Sequence, residues 1–248
     1  MFRWGKYGAH LCLALAFAAA SAQASAADDF YGEARMDMLE SIRESVRETA
    51  AYTGKHSLSE RVMVQMGQVP RQEFVLPEMQ SRAYLNTALP ISHGQTISQP
   101  LIVALMTDFL DTEPGDVILE VGTGSGYQAA VLSALVSHVY SIEIIAGLTE
   151  TAREVLGRLG YDNVTLKTGD GYLGWPQHAP FDGIVVTAAA DEVPAPLVQQ
   201  LKPGGRLVIP VEFAGGAQEL LVIEKNADGS TNERSVLPVR FVPLTGER

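Results

Sequence analysis

Apolar residues recur at Met36, Leu39, Ile42 and Val46 with Glu, Arg and Ser between them, a spacing that places them on one stripe of a helix running from residue 36 to 52. A second helix is predicted from 58 to 66, opened by Ser57 with Glu60 three residues on, the pattern of a reciprocal N-terminal cap. A long segment without either period, from 88 to 100, separates these from a helix ending near Leu110. From Gly115 the pattern becomes regular. Short apolar runs at 117–121, 139–144, 164–168, 183–187 and 207–211 alternate with helical stretches that end near Val136 and Leu159 and begin at Pro194. Such alternation implies a parallel sheet covered by helices on both faces. The tail breaks the rhythm, because two apolar runs at 219–225 and 236–242 flank the polar turn Asn226-Ala227-Asp228-Gly229. That predicts a hairpin closing the sheet edge. The expectation is an α/β, doubly wound, mostly parallel sheet with an antiparallel C-terminal hairpin. A helical extension over 27–80 precedes the main domain at 81–248.

With 248 residues the chain can bury one good-sized core, and 46% apolar against 19% charged residues excludes a disordered protein. Its first residues read differently. Arg3 and Lys6 precede an apolar stretch from 11 to 20 and then small residues, the pattern of a secretory signal. Ala22-Gln23-Ala24 and Ala24-Ser25-Ala26 both satisfy the small-x-small rule, so residues 1–26 are expected to be a signal peptide cleaved after Ala24 or Ala26. The stretch is short for a bilayer span, so no stable membrane association is expected after cleavage. An exported, periplasmic location follows, with a cytoplasmic one as the alternative. Removing the leader takes out two basic residues and no acidic ones, which moves the net charge from −11 to −13. Such a surface repels phosphate backbones and argues against nucleic acid as a partner. The one cysteine, Cys12, lies in the leader, leaving neither disulfide nor thiol nucleophile. Five scattered histidines make no metal-ligand cluster, and no metal site is expected.

The sharpest local signal is Val117-Ile118-Leu119-Glu120-Val121-Gly122-Thr123-Gly124-Ser125-Gly126, a buried strand entering a glycine-rich turn and then a helix. In a doubly wound sheet this turn sits at the carboxyl edge, where ligands bind. The third glycine of the dinucleotide pattern would fall at Tyr127, which argues against a nicotinamide cofactor. A ligand without pyrophosphate fits better, and S-adenosylmethionine, with its cationic sulfonium, is the reading. Glu120 would complement the positively charged methionine end. Glu143, about twenty residues on at the end of the second strand, is placed to accept from two ribose hydroxyls. Asp170, in Thr168-Gly169-Asp170-Gly171, is the candidate acceptor for the adenine amino group.

Several segments together resemble the protein-L-isoaspartate O-methyltransferase family. They are Val69-Pro70-Arg71-Gln72-Glu73-Phe74-Val75, Ala88-Leu89-Pro90-Ile91, Gly94-Gln95-Thr96-Ile97-Ser98-Gln99-Pro100, the loop from Glu120 to Gly126, Gly169-Asp170-Gly171 and Val239-Arg240-Phe241-Val242-Pro243-Leu244. They occur in family order from about residue 58 to 245. The glycine loop alone points only to a class I methyltransferase, and Gln95-Thr96-Ile97-Ser98 carries the narrower resemblance. The resemblance implies a Rossmann-like methyltransferase sheet. It also implies transfer of the methyl group of S-adenosylmethionine to the α-carboxylate of L-isoaspartyl residues in damaged proteins or peptides, whose ester then collapses to a succinimide. Ser98 matches the family's active-site hydroxyl, Thr96 and Ile97 would close over the cofactor, and Thr245 would touch it. Main chain near Leu89, Ile91 and Val211 would grip the peptide, with Thr187 in the same pocket.

The chemistry agrees with that assignment. A carboxylate with a pKa of about 3.9 is ionised at neutral pH, so no strong general base is required and His93, beside the serine loop, is not expected to act as one. Positioning is the main demand. A monomer is expected. Two other readings share the crevice: another exported carboxyl or small-molecule methyltransferase, and a module that binds isoaspartyl peptides without turnover.

Overall fold

A computed structural model describes residues 31–246, so the expected leader, both cleavage points and Cys12 lie outside the described residues. The first amphipathic stripe forms helix α1 over 31–48, followed by the short α2 (Ala50–Thr53). The buried stripe is Met38, Ile42 and Val46, whereas Met36, expected on it, is 70% exposed. Helix α3 (Glu60–Gln68) starts two residues later than expected, with Ser59 rather than Ser57 as its cap, accepting from the Val62 amide at 3.3 Å. The reason is tertiary. Asp108 pairs with Lys55 and accepts from the Ser59 amide at 2.7 Å, which ties down the stretch where the helix was to begin.

The aperiodic segment holds two 3-10 turns, Arg71–Phe74 and Pro77–Arg82, and a small antiparallel hairpin of β1 (Leu89–Pro90) and β2 (Thr96–Ile97). Helix α4 (Pro100–Leu110) opens on a proline, which suits a first turn whose N–H groups have no helical partner. Then come β3 (Val117–Val121), α5 (Tyr127–Ser133), β4 (His138–Glu143), α6 (Ala146–Leu159), β5 (Val164–Thr168), β6 (Phe181–Val186), α7 (Ala195–Gln199), β7 (Leu201–Glu212), β8 (Gln218–Lys225) and β9 (Thr231–Val239). The sheet order is β5-β4-β3-β6-β7-β8-β9. Its pairings are parallel from β5 to β7 and antiparallel from β7 to β9. This is the doubly wound α/β sheet with a C-terminal hairpin that the patterning implies.

Neighbouring residues on each strand face opposite layers. Ile118, Val185 and Val208 join one apolar cluster with α1, α3, α4, α5 and α6, while Leu119, Ile184 and Leu207 join a second with Leu197 of α7 and Tyr172. The N-terminal extension therefore shares its core with the sheet. The second face carries a thinner cover, one short helix and the turns near 171–178. From β3 the chain moves to one side through β4 and β5, then returns past β3 to β6. That reversal leaves a crevice at the carboxyl ends of β3, β4 and β6.

Candidate active site

The crevice is a cleft of about 790 Å³ including its open mouth. Its floor is the glycine turn after β3. Gly122 has φ +96°, and a Cβ there would lie 2.4 Å from Thr187 Oγ1, so only glycine fits. The Thr187 hydroxyl donates to Gly122 O at 2.5 Å and thereby fixes the turn against the end of β6. Gly171 is held by proximity rather than by φ, because a Cβ would meet Val121 Cγ1 at 2.3 Å.

Glu143 ends β4 and lines the cleft at 6% exposure. Its Oε2 accepts from the Gly124 amide and its Oε1 from the Ile145 amide, each at 2.9 Å. Two N–H groups orient the carboxylate and leave each oxygen able to accept once more, which suits a vicinal diol. Gly122, Thr123, Gly124, Ser125, Gly171, Thr187 and Thr245 line the same cleft, as do Thr96, Ile97 and Ser98 of the segment around β2.

Glu120 departs from its expected place. It is fully buried beneath the turn and does not line the cleft. Ser141 Oγ donates to its Oε2 at 2.5 Å, Thr123 Oγ1 sits 2.6 Å from Ser141 Oγ, and Oε1 has no partner. Burial pushes its carboxyl up to about 8; the Ser141 hydrogen bond opposes the rise and the nearby Glu143 charge adds to it. A side chain expected as an anion facing the ligand lies instead behind the wall, where burial favours its protonated form, and reaches the cleft only through Ser141 and Thr123.

Asp170 and Gly126 also stand back. Asp170 accepts from the Tyr172 amide at 2.9 Å and caps the turn Gly171–Leu173, with Gly246 packed against its carboxylate. Gly126 opens α5 and packs against Ala152 and Leu156 of α6.

The β1–β2 hairpin forms a flap on the cleft. Leu89 pairs with Ile97, and the Ile91 amide donates to Gln95 O at 2.9 Å. Leu89 and Ile91 are buried beneath the rim rather than lining it. His93, at the tip, has φ +59° and lies against Gly147 at the start of α6. Ser98 follows β2; its Oγ makes no hydrogen bond to the described residues, while its carbonyl accepts from Arg71 Nη2 at 2.7 Å. At Val211 the expected free main-chain edge is absent. Val211 pairs with Glu219, and the flanking Pro210 carbonyl and Glu212 amide bond Ala190.

Sequence reasoning missed several lining residues: Tyr127, Gln128, Ile144, Leu148, Ala188 and Leu244. Ile144 carried a signal, an apolar residue directly after the strand-end acid, and it is 41% exposed. Among the described residues no lysine, arginine or histidine lines the cleft. A pyrophosphate would find no cation there, whereas a nucleoside with a cationic centre fits the acceptor carboxylate and apolar walls. The residues present thus fit S-adenosylmethionine. Among the described residues there is also no cluster of three or more His, Cys, Asp or Glu able to hold a metal ion.

Residues 48–248 match the family model described as Protein-L-isoaspartate(D-aspartate) O-methyltransferase (PCMT). Protein-L-isoaspartate O-methyltransferase 2 of Syntrophobacter fumaroxidans is 56% identical over 239 residues, 96% of this chain and 97% of its own. The protein of the same name from a Polaromonas species is 60% identical over 211 residues, 85% of this chain and 100% of its own. Among solved structures, a beta-aspartate methyltransferase (PCMT) from Plasmodium falciparum, in complex with S-adenosyl-L-homocysteine, aligns with a TM-score of 0.68 at 27% identity. That alignment covers 83% of this chain and 97% of the other.

Proposed function

This chain belongs to the protein-L-isoaspartate(D-aspartate) O-methyltransferase family, and we propose that Ser98 orients the acceptor carboxylate while the glycine turn and Glu143 hold the methyl donor. The chain is an S-adenosylmethionine-dependent methyltransferase that acts on L-isoaspartyl residues of damaged proteins. One observation carries the division of labour. One cleft is lined both by Glu143, at the end of β4, and by Ser98, after β2, whose hydroxyl bonds none of the described residues.

When bound, S-adenosylmethionine supplies an activated methyl group. Glu143 takes the ribose hydroxyls, the turn from Gly122 to Ser125 and Gly171 leave room for the nucleoside, and Thr96, Ile97 and Thr245 enclose it. Glu120 acts at one remove, fixing Thr123 through Ser141, and Asp170 shapes the adenine end by capping its turn. The acceptor carboxylate is already ionised, so the chain has no proton to remove and its work is alignment. The Ser98 hydroxyl donates one hydrogen bond that aims an acceptor oxygen. Leu89, Ile91 and Thr187 support the peptide side, and Val211 supports it through Ala190. Ser98→Ala should lower kcat by about 10- to 100-fold while cofactor affinity stays as it was. Equal loss of both would move Ser98 into the cofactor site.

The basic and apolar pattern of the first residues supports export to the periplasm. Among the described residues no helix is long and apolar enough to cross a membrane. N-terminal sequencing of protein from a periplasmic fraction should begin after Ala24 or Ala26. Protein found only in the cytoplasmic fraction with Met1 intact would overturn the export reading.

A further inference from the structure

Arg71 lies in the 3-10 turn that precedes the flap and has no solvent exposure, yet no acidic side chain of the described residues pairs with it. Nε donates to Ala83 O at 2.8 Å and Nη2 to Ser98 O at 2.7 Å, while the guanidinium lies over the Tyr127 ring, 4.7 Å from its centre. Nη1 is buried with no partner. Burying a cation without a counter-ion costs several kcal/mol, and an apolar side chain of similar length would fill the space at lower cost. Packing therefore does not account for an arginine here, and what remains is what its fork holds. Its two acceptors stand at the two roots of the flap, Ala83 before β1 and Ser98 directly after β2. The aromatic ring beneath belongs to Tyr127, which itself lines the cleft. A planar fork spans two carbonyls on separate segments in fixed geometry, and a lysine ammonium, a point donor on a flexible stem, does not.

We infer that Arg71 is a positioning residue for methyl transfer: by tying the Ser98 carbonyl to Ala83 across the base of the flap, it sets the main chain at Ser98 and so the direction of its hydroxyl. The inference rests on the role of Ser98 given above. It assigns no contact between Arg71 and either reactant. Loss of the clamp should then appear in the rate of transfer and leave cofactor binding alone, because the glycine turn and Glu143 are held by other bonds.

The test uses the full chain carrying Arg71→Lys, Arg71→Met, Ser98→Ala and each Arg71 change combined with Ser98→Ala. S-adenosylhomocysteine affinity, kcat and KM for an isoaspartyl peptide, and thermal melting are measured for all. Arg71→Lys should bind S-adenosylhomocysteine like the parent while kcat falls by about 10- to 100-fold and by no more than in Ser98→Ala, the effect of a misplacement of that hydroxyl. In the Ser98→Ala background the same change should have almost no further effect, since both act through one hydroxyl. Arg71→Met, which removes the charge as well as the clamp, decides the matter if the lysine variant does not fold. Unchanged kcat in both variants overturns the inference, as does an effect of equal size with and without Ser98. Cofactor affinity and melting falling in step with kcat would assign Arg71 a purely structural role and overturn it too. If Ser98→Ala alone leaves kcat unchanged, the Ser98 assignment fails and takes this inference with it. A Ser98→Ala loss with an additive Arg71 effect removes this inference only.

Discussion

Replacing Glu120 by glutamine should change how stability depends on pH. In the fold this carboxyl is fully buried, with Oε1 unpartnered, and burial lifts its pKa from 4.5 to about 8. In the unfolded chain it titrates near the ordinary value. Between those limits the unfolded state has released a proton that the native state keeps, so native stability falls as pH rises. The contribution is fully present below about pH 4.5 and is lost as pH passes through about 8. Where one state is protonated and the other is not, the slope is about 1.4 kcal/mol per pH unit. Across the whole window this amounts to about 5 kcal/mol at most, because any water that reaches Oε1 lowers it. Glu120→Gln keeps the shape and has no proton to lose. Denaturant unfolding from about pH 5 to 8 should therefore show the parent midpoint falling away from that of the variant, which overtakes it in stability at the alkaline end. Parallel profiles would refute the reasoning. They would mean that Glu120 is ionised in the fold, as first expected of an acid facing a cationic ligand.

Two further substitutions probe the cleft. Gly122→Ala places a methyl 2.4 Å from Thr187 Oγ1 at a positive φ, and should destabilise the protein by about 2 to 4 kcal/mol through strain and a lost hydrogen bond. A loss below about 0.5 kcal/mol in denaturant unfolding would show that the turn is not pinned by Thr187. Glu143→Ala removes the proposed ribose acceptor and should weaken S-adenosylhomocysteine binding by about 10- to 100-fold in calorimetric titration. An unchanged affinity would exclude that role.

The alternating part of the fold was legible because glycines, prolines and acids punctuate it. The strands Val117–Val121 and Val164–Thr168 match their apolar runs residue for residue. The apolar pattern predicts a last strand over 236–242, whereas the strand spans Thr231–Val239, since residues 231–235 form an exposed polar edge with no apolar signal. The residues after it instead run back to the cleft, where Pro243 bridges Ala189. The cap at Ser59 depends on Asp108, far along the chain, and no local rule contains it. Site residues divide in the same way. Glycines and the strand-end Glu143 announce themselves through spacing, whereas a strand acid such as Glu120 looks the same in sequence whether solvated or buried. Arg71 carries no local signal of its role, because its acceptors lie 12 and 27 residues away and its burial is a tertiary fact.

The most direct measurement is methyl transfer from labelled S-adenosylmethionine to two peptides identical except for isoaspartate or aspartate at one position. Label is expected in the isoaspartyl peptide alone and should be released as the ester closes to the succinimide. Equal labelling of both peptides, or labelling of neither by protein that binds the cofactor, would contradict the account.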